Sequence, residues 1–298
     1  RKTLKCPNGI VLGTPGSGKS FFAKREMANA FFATNDHILI LDPENEYTAL
    51  TEQLHGQTIY LAPDSHSYLN PMDLDLSTDV GESPMLMQAD FLLSQCELMM
   101  ASYGNPLMPI EKSLIDRCIS LVYRDYLKNP RPENMPVLGD LYQCLREQHN
   151  SRADDLATAM EIYVTGSLSY LNHRTNVDLN NRMVCYNTSK LGQGLKKLVM
   201  SNVQKHIWQR TAVNRYAGIT TRIFLDEFHL LLKEPQTAAY TAEIYKRFRK
   251  WNGIPTSLTQ NVKDLLDSSE IENILENSDF VLMLNQGASD RNILAQRL

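Results

Sequence analysis

The sequence predicts an α/β fold: a largely parallel central sheet with an all-α subdomain inserted into it. Three observations carry that prediction. Short apolar runs alternate with helical segments over residues 9–80 and return from 182 onward, the pattern of strand–helix–strand units. A glycine-rich loop at residues 13–20 sits between one such run and the start of a helix. Between 82 and 178 the chain shows helical spacing and no strand signal. The expected organisation is a sheet domain of residues 1–81 and 179–298, with a helical subdomain at 82–178.

Gly9-Ile10-Val11-Leu12 is the first strand. It runs into Gly13-Thr14-Pro15-Gly16-Ser17-Gly18-Lys19-Ser20, which fills the Gly-x-x-x-x-Gly-Lys-Ser/Thr template (Walker A, or P-loop) that cradles nucleotide phosphates. Gly13, Gly16 and Gly18 lack a Cβ, so the backbone can turn tightly against an anion. N–H groups freed in the loop and at the following helix start favour negative charge. Residues Gly13 to Phe21 are therefore the expected ATP-binding segment. Lys19 is expected on the β- and γ-phosphates and Ser20 on Mg²⁺.

The helix opened by Ser20 to Met27 leads to a second strand, His37 to Asp42, and then to Pro43-Glu44-Asn45-Glu46-Tyr47. Asp42, Glu44 and Glu46 fall at the strand edge where open α/β sheets bind ligands, although Glu46 also reads as a surface or capping acid. Thr58 to Leu61 is a third strand, and Asn70-Pro71 reads as a turn. About four helices are expected between 82 and 178. In the second of them Leu114, Ile115, Cys118, Leu121 and Val122 share a face. Met85, Met87, Met99 and Met100 read as core filler. The strand Arg182 to Tyr186 and a long helix over about 193–215 follow.

Ile223-Phe224-Leu225-Asp226-Glu227 is an apolar strand ending in two acids. Asp226 is placed to hold Mg²⁺ and Glu227 to polarise the attacking water. An acidic strand-to-helix turn is the alternative, and the intact loop upstream favours the catalytic one. Tyr245 to Ile254 is a basic run. Such a run is often a solvated helix face. At this point in ring ATPases a basic residue can also reach a neighbour's γ-phosphate. Arg249 is the first choice for such a finger, ahead of Lys250 and Arg247. The next strand ends at Thr259-Gln260, where an amide can bind the γ-phosphate or the attacking water. A polar strand end satisfied by backbone fits the spacing equally. Phe280 to Leu284 closes the set of strands.

With 43% apolar and 21% charged residues, the 298-residue chain has the composition of a globular domain. A net charge of −4 provides no overall attraction for nucleic acid or anionic membrane, so any such contact needs a local basic patch. The five cysteines include no Cys-x-x-Cys pair, which argues for free thiols in a reducing compartment. No stretch of 18 apolar residues suggests a membrane span. The chain starts at Arg1 without an initiator Met and is expected to be a fragment.

The loop at 13–20, Leu41-Asp42-Pro43-Glu44-Asn45-Glu46-Tyr47, Leu69-Asn70-Pro71-Met72, Phe224-Leu225-Asp226-Glu227, Arg249-Lys250-Trp251-Asn252-Gly253-Ile254 and Thr259-Gln260 occur in that order. In this the chain resembles the C-terminal ATPase domain of the large conjugative-transfer ATPase of type IV secretion (VirB-four type, also called TraC or TraE). That family is similar to the HerA and FtsK motors. The resemblance implies a RecA-like P-loop NTPase core interrupted by a helical subdomain. It implies ATP and Mg²⁺ as cofactors and roles in turnover for Lys19, Ser20, Asp226, Glu227, Arg249 and Gln260. It also implies a cytoplasmic ATPase at the inner face of the cell membrane, with channel components as partners. Self-association, often toward hexamers, and sequence-independent DNA binding are further expectations. A HerA/FtsK-like DNA translocase and a nucleotide-gated channel scaffold with little turnover are the competing readings. The intact Lys19, Asp226 and Glu227 weigh against the scaffold.

Overall fold

The computed structural model describes residues 4–76, 83–100, 107–260, 262–266, 269–287 and 290–292. In chain order the elements are β1 (Gly9–Leu12), α1 (Lys19–Ala33), β2 (His37–Asp42), α2 (Thr48–Gln53), β3 (Gln57–Tyr60), α3 (Pro84–Met100), α4 (Pro109–Val122), α5 (Arg124–Lys128), α6 (Leu138–Arg146), α7 (Ser151–Val164), β4 (Met183–Asn187), α8 (Gln193–Tyr216), β5 (Thr221–Leu225), α9 (Pro235–Phe248), β6 (Gly253–Thr259), α10 (Val262–Leu266), α11 (Ile271–Glu276) and β7 (Phe280–Met283). The chain divides into two compact units. One holds Arg1–Tyr60, Asp178–Ser189 and Val203–Leu298, the other Leu61–Val177 and Lys190–Asn202. The expected boundary at 81/82 lies outside the described residues. The division instead places 61–76 and 190–202 with the helical unit.

The first unit is built on a seven-stranded sheet in the order β3-β4-β2-β5-β6-β1-β7. Each of its pairings is parallel. Register places Leu12 beside Thr259 and Leu225 beside Ser257, so β1, β6 and β5 end together along one edge. The inner strands are covered on both faces, so that every residue of β1, β4 and β6 is buried, the polar Thr256, Ser257 and Thr259 of β6 included. Edge strand β7 behaves differently: Val281 and Met283 turn outward. Against one face lies α1, whose buried Lys19, Ala23, Met27 and Ala30 recur at helical spacing. Ala23 and Met27 join Val11, Ile38, Ile40, Tyr47, Cys185, Phe224 and Leu258 in one apolar cluster. Trp208 gathers Tyr240, Phe248 and Trp251 around it, with ring centroids 5.0–5.5 Å apart.

The second unit is helical. Where about four helices were expected, the described residues from Pro84 to Val164 form five, the short α5 following α4 directly. Helix α4 buries Leu114, Ile115, Cys118 and Ile119. Leu121, expected on that face, lies in the last turn beyond the buried stripe and is exposed. Met99 and Met100 are buried, and Met85 and Met87 half-buried. Asn70 is a buried tie: its amide donates to the Pro136 carbonyl (2.8 Å) and accepts from the Met72 N–H (3.0 Å). All five cysteines are free. No helix among the described residues is long and apolar enough to cross a membrane.

His206, on the part of α8 that belongs to the sheet unit, is buried. Burial, and then the Lys205 charge, push its pKa down to about 3 from an ordinary 6.5. The unfolded chain therefore binds a proton between those values that the folded chain does not. Stability is complete above pH 6.5 and declines as pH falls toward 3, by at most about 1.4 kcal/mol per unit from this group. His206→Leu should flatten the fall in urea midpoint between pH 6 and pH 4. Superimposed acid limbs for the two proteins would contradict this.

Candidate nucleotide-binding site

The loop between β1 and α1 takes its shape from its glycines. Gly16 and Gly18 have φ of 73° and 98°, a region where a side chain is strained. A Cβ on Gly13 would come within 2.3 Å of Ser17 Oγ and 3.1 Å of Leu284 Cβ. The loop is pinned on both flanks. Gly13 N–H donates to the Thr259 carbonyl at the end of β6 (3.3 Å), and Thr14 N–H to the Asn285 carbonyl after β7 (2.9 Å). Gly18 is the residue preceding α1; among the described residues no side chain caps that terminus, and its first turn carries no acid. An uncapped, acid-free helix start favours negative charge beside it. Lys19 is nearly buried, and its ammonium donates to the Gly13 (2.8 Å) and Thr14 (3.2 Å) carbonyls. Ser20 is half-buried, and Pro15 and Phe21 are exposed.

The acids sit two strands away on the same edge. Asp226 and Glu227 follow the last residue of β5 directly, and both are buried. The Glu227 N–H donates to Asp226 Oδ1 (2.9 Å), and Glu227 itself takes a left-handed backbone, φ 44°. A non-glycine residue held there is under local strain. Burial, then repulsion from Glu227 and Glu46, pushes the Asp226 carboxyl up to about 7, against the lowering effect of the Glu227 N–H. The buried Tyr47 hydroxyl lies beside it, its own pKa raised by burial and by the Asp226, Glu46 and Asp42 charges. A carboxyl in that condition regains its charge when a cation arrives.

Gln260 closes the constellation. Its amide donates to Glu227 Oε1 at 2.8 Å. On the other side His229 Nδ1 lies 3.2 Å from Glu227 Oε2 and 3.2 Å from Thr259 Oγ1. Glu227 Oε1 is thus held from the end of β6, while Oε2 lies buried beside His229 without a hydrogen bond among the described residues. Arg249 is placed elsewhere. It precedes β6 as Gln260 follows it, so the seven-residue strand separates them by roughly 20 Å. Its guanidinium meets Cys6 Sγ at 3.2 Å. Of the other basic candidates, Lys250 is exposed. Arg247 is engaged by Glu243 (3.2 Å) and by the Trp208 ring (5.7 Å).

Two participants had no signal in sequence, and a third takes a role other than the expected one. His229 lies two residues past Glu227 in a 3₁₀ turn whose direction spacing does not reveal. The Asn285 carbonyl is a backbone group. Asp42, read from sequence as an acid at the ligand-binding strand edge, accepts the Glu46 and Tyr47 N–H groups at 2.9 Å each. It therefore shapes the 43–47 loop, while Glu44 and Glu46 are exposed.

A family model described as the TraG P-loop domain matches residues 1–293. Among solved structures the fold is similar to VirB4 of Thermoanaerobacter pseudethanolicus. There the TM-score is 0.84 and the identity 24%, covering 97% of this chain and 80% of that one. It is also similar to the plasmid coupling protein TrwB in complex with the non-hydrolysable GTP analogue GDPNP (TM-score 0.62, 14% identity, 97% of this chain and 72% of that one). The TrwB complex with the ATP analogue ADPNP gives a TM-score of 0.62 at 12% identity, over 98% of this chain and 74% of that one. At these identities the likeness establishes the RecA-like fold. No curated protein matches.

Replacing Asp42 with Ala leaves the Glu46 and Tyr47 N–H groups without their acceptor. The expected loss is about 1–3 kcal/mol of unfolding free energy, read from urea denaturation. A loss below about 0.5 kcal/mol, the scale of an ordinary surface substitution, would show that the loop holds itself.

Proposed function

The chain belongs to the TraG P-loop domain family and is a P-loop ATPase, and from that premise we propose that it is the motor of a type IV secretion (conjugative transfer) system. In this reading it hydrolyses ATP with Mg²⁺ to energise channel assembly or the transfer of DNA or protein. One observation carries the proposal. The phosphate loop, the Asp226–Glu227 pair and Gln260 stand side by side at one edge of the sheet, at the ends of β1, β5 and β6.

The residues fit the cofactors. Ser20 and Asp226 offer the hydroxyl and carboxylate oxygens that Mg²⁺ favours, few enough for phosphates and water to complete its shell. Bound there, the ion supplies neutralisation of the charge on the phosphates. Lys19 and the uncapped start of α1 orient the phosphates. Glu227, buried and held at Oε1 by Gln260, keeps Oε2 without a hydrogen bond among the described residues, which suits it to take a proton from the attacking water. Gln260, donating to that same carboxylate, is the group through which a change at the phosphates can reach Glu227. Arg249, at the far end of β6, acts on the site of a second copy. Self-association, a place at the inner face of the cell membrane among channel components, and sequence-independent contact with DNA complete the reading.

The direct experiment is Mg²⁺-ATP hydrolysis against protein concentration. Specific activity rising with concentration supports the motor. Full activity in dilute monomer would remove Arg249 from the mechanism. Lys19→Ala should abolish turnover, and wild-type rates in that variant would exclude the loop. Glu227→Gln should keep ATP affinity within about threefold while lowering kcat by roughly 10²–10⁴-fold. Equal losses in affinity and kcat would make Glu227 a binding residue only.

A further inference from the structure

His229 stands beside the proton acceptor, and nothing in the proposed reaction uses it. It comes from a turn that leaves it little freedom. Glu227, with its left-handed backbone, opens the 3₁₀ turn Phe228–Leu232, and its carbonyl accepts from the Leu230 N–H (2.9 Å). The turn is anchored on either side of His229. Phe228 is buried against the Tyr245 ring, with centroids 6.0 Å apart, and Leu231 and Leu232 are buried as well. The half-buried imidazole is thereby brought back to the end of β6. There its Nδ1 meets the hydroxyl of the wholly buried Thr259 at 3.2 Å.

Gln260 holds Glu227 at Oε1 only (2.8 Å). A carboxylate held at one oxygen can pivot about that bond. His229 Nδ1, 3.2 Å from Oε2, limits the pivot from the other side. A ring nitrogen is either a donor or an acceptor, with one in-plane position for a partner. In His229 that position goes to Thr259, so the ring flanks Oε2 without bonding it, and Oε2 stays open. Two consecutive residues of the β6 end thus restrain the carboxylate, Gln260 directly and Thr259 through the ring. Such restraint matters for rate, because a misplacement of about 1 Å can cost on the order of 10²-fold.

We infer that His229 is a positioning residue: anchored on Thr259, it fixes the Glu227 carboxylate while leaving Oε2 free for the proton of the attacking water. The inference deepens the proposed function and rests on Glu227 as the proton acceptor. It acts through Glu227, so its effect should vanish when that carboxylate is removed.

A double-mutant cycle tests this. kcat and KM for Mg²⁺-ATP, and ADP affinity by calorimetry, are measured on the wild-type chain, His229→Ala, His229→Asn, Glu227→Gln and the Glu227→Gln/His229→Ala double variant. His229→Ala should lower kcat at least about tenfold, with KM and ADP affinity kept within about threefold. Asn carries an amide where Nδ1 stood, so His229→Asn should recover most of the lost rate. On the Glu227→Gln background the Ala substitution should cost less than about twofold more, because the group it positions is gone. A wild-type kcat in His229→Ala would overturn the inference. So would a further tenfold loss on the Glu227→Gln background, which would have His229 act on another group. Equal losses in the Ala and Asn variants would also overturn it, and a melting temperature lowered in both would make the ring a packing group. Wild-type turnover in Glu227→Gln would instead remove the proposed role of Glu227, and this inference with it.

Discussion

Parallel pairing of β6 between β1 and β5 is the constraint on which the site depends. It sets the phosphate loop one strand away from Gln260 and two from Asp226 and Glu227, with all of them at the same edge. The same strand carries the loop's own anchor, since the Thr259 carbonyl accepts from Gly13. A one-residue slip of β6 would move Thr259 off Leu12 and exchange the residues packed on its two faces. Burial on both faces opposes such a slip, because every residue of β6 is packed. The length of β6 also decides what cannot belong to the site. It holds Arg249 at the opposite edge, which is the structural ground for giving that residue to another copy.

The edge is arranged for a charge that arrives. Asp226 sits buried beside Glu227, near Glu46 and Tyr47, and its carboxyl is pushed up to about 7. Glu227 adds a left-handed backbone. Such concentrations of buried acid and strain work against stability and mark functional sites. The apolar cluster around Phe224, Ile40 and Met27 underneath supplies the offset. The loop shows the converse, a concentration of unused donors at an uncapped helix start. In the proposed function the acids take a cation and the loop an anion, which together describe a magnesium-bound polyphosphate.

Much of this was legible in the residues alone. The strands were readable because apolar runs such as Ile38-Leu39-Ile40-Leu41 can be satisfied only inside a sheet covered on both faces. The phosphate loop was readable because few residues other than glycine adopt the backbone at Gly16 and Gly18. Asp226 and Glu227 followed from their position after an apolar strand. Contacts that depend on how side chains turn were not readable. His229 reaches Glu227 only because a 3₁₀ turn brings it round. Asp42 looked like a ligand-edge acid and instead holds backbone N–H groups, a choice made by the turn at 43–46.

The central claim is that one catalytic unit is shared between two copies of the chain, Glu227 from one and Arg249 from the other. Mixing Glu227→Gln with Arg249→Ala tests this most directly, in assemblies formed from both. Each variant alone should hydrolyse ATP slowly. In mixed assemblies an intact Glu227 site can receive an intact Arg249 from its neighbour, so activity should recover above the sum of the two. Activity that stays at that sum while the assemblies are shown to be mixed would contradict a shared site.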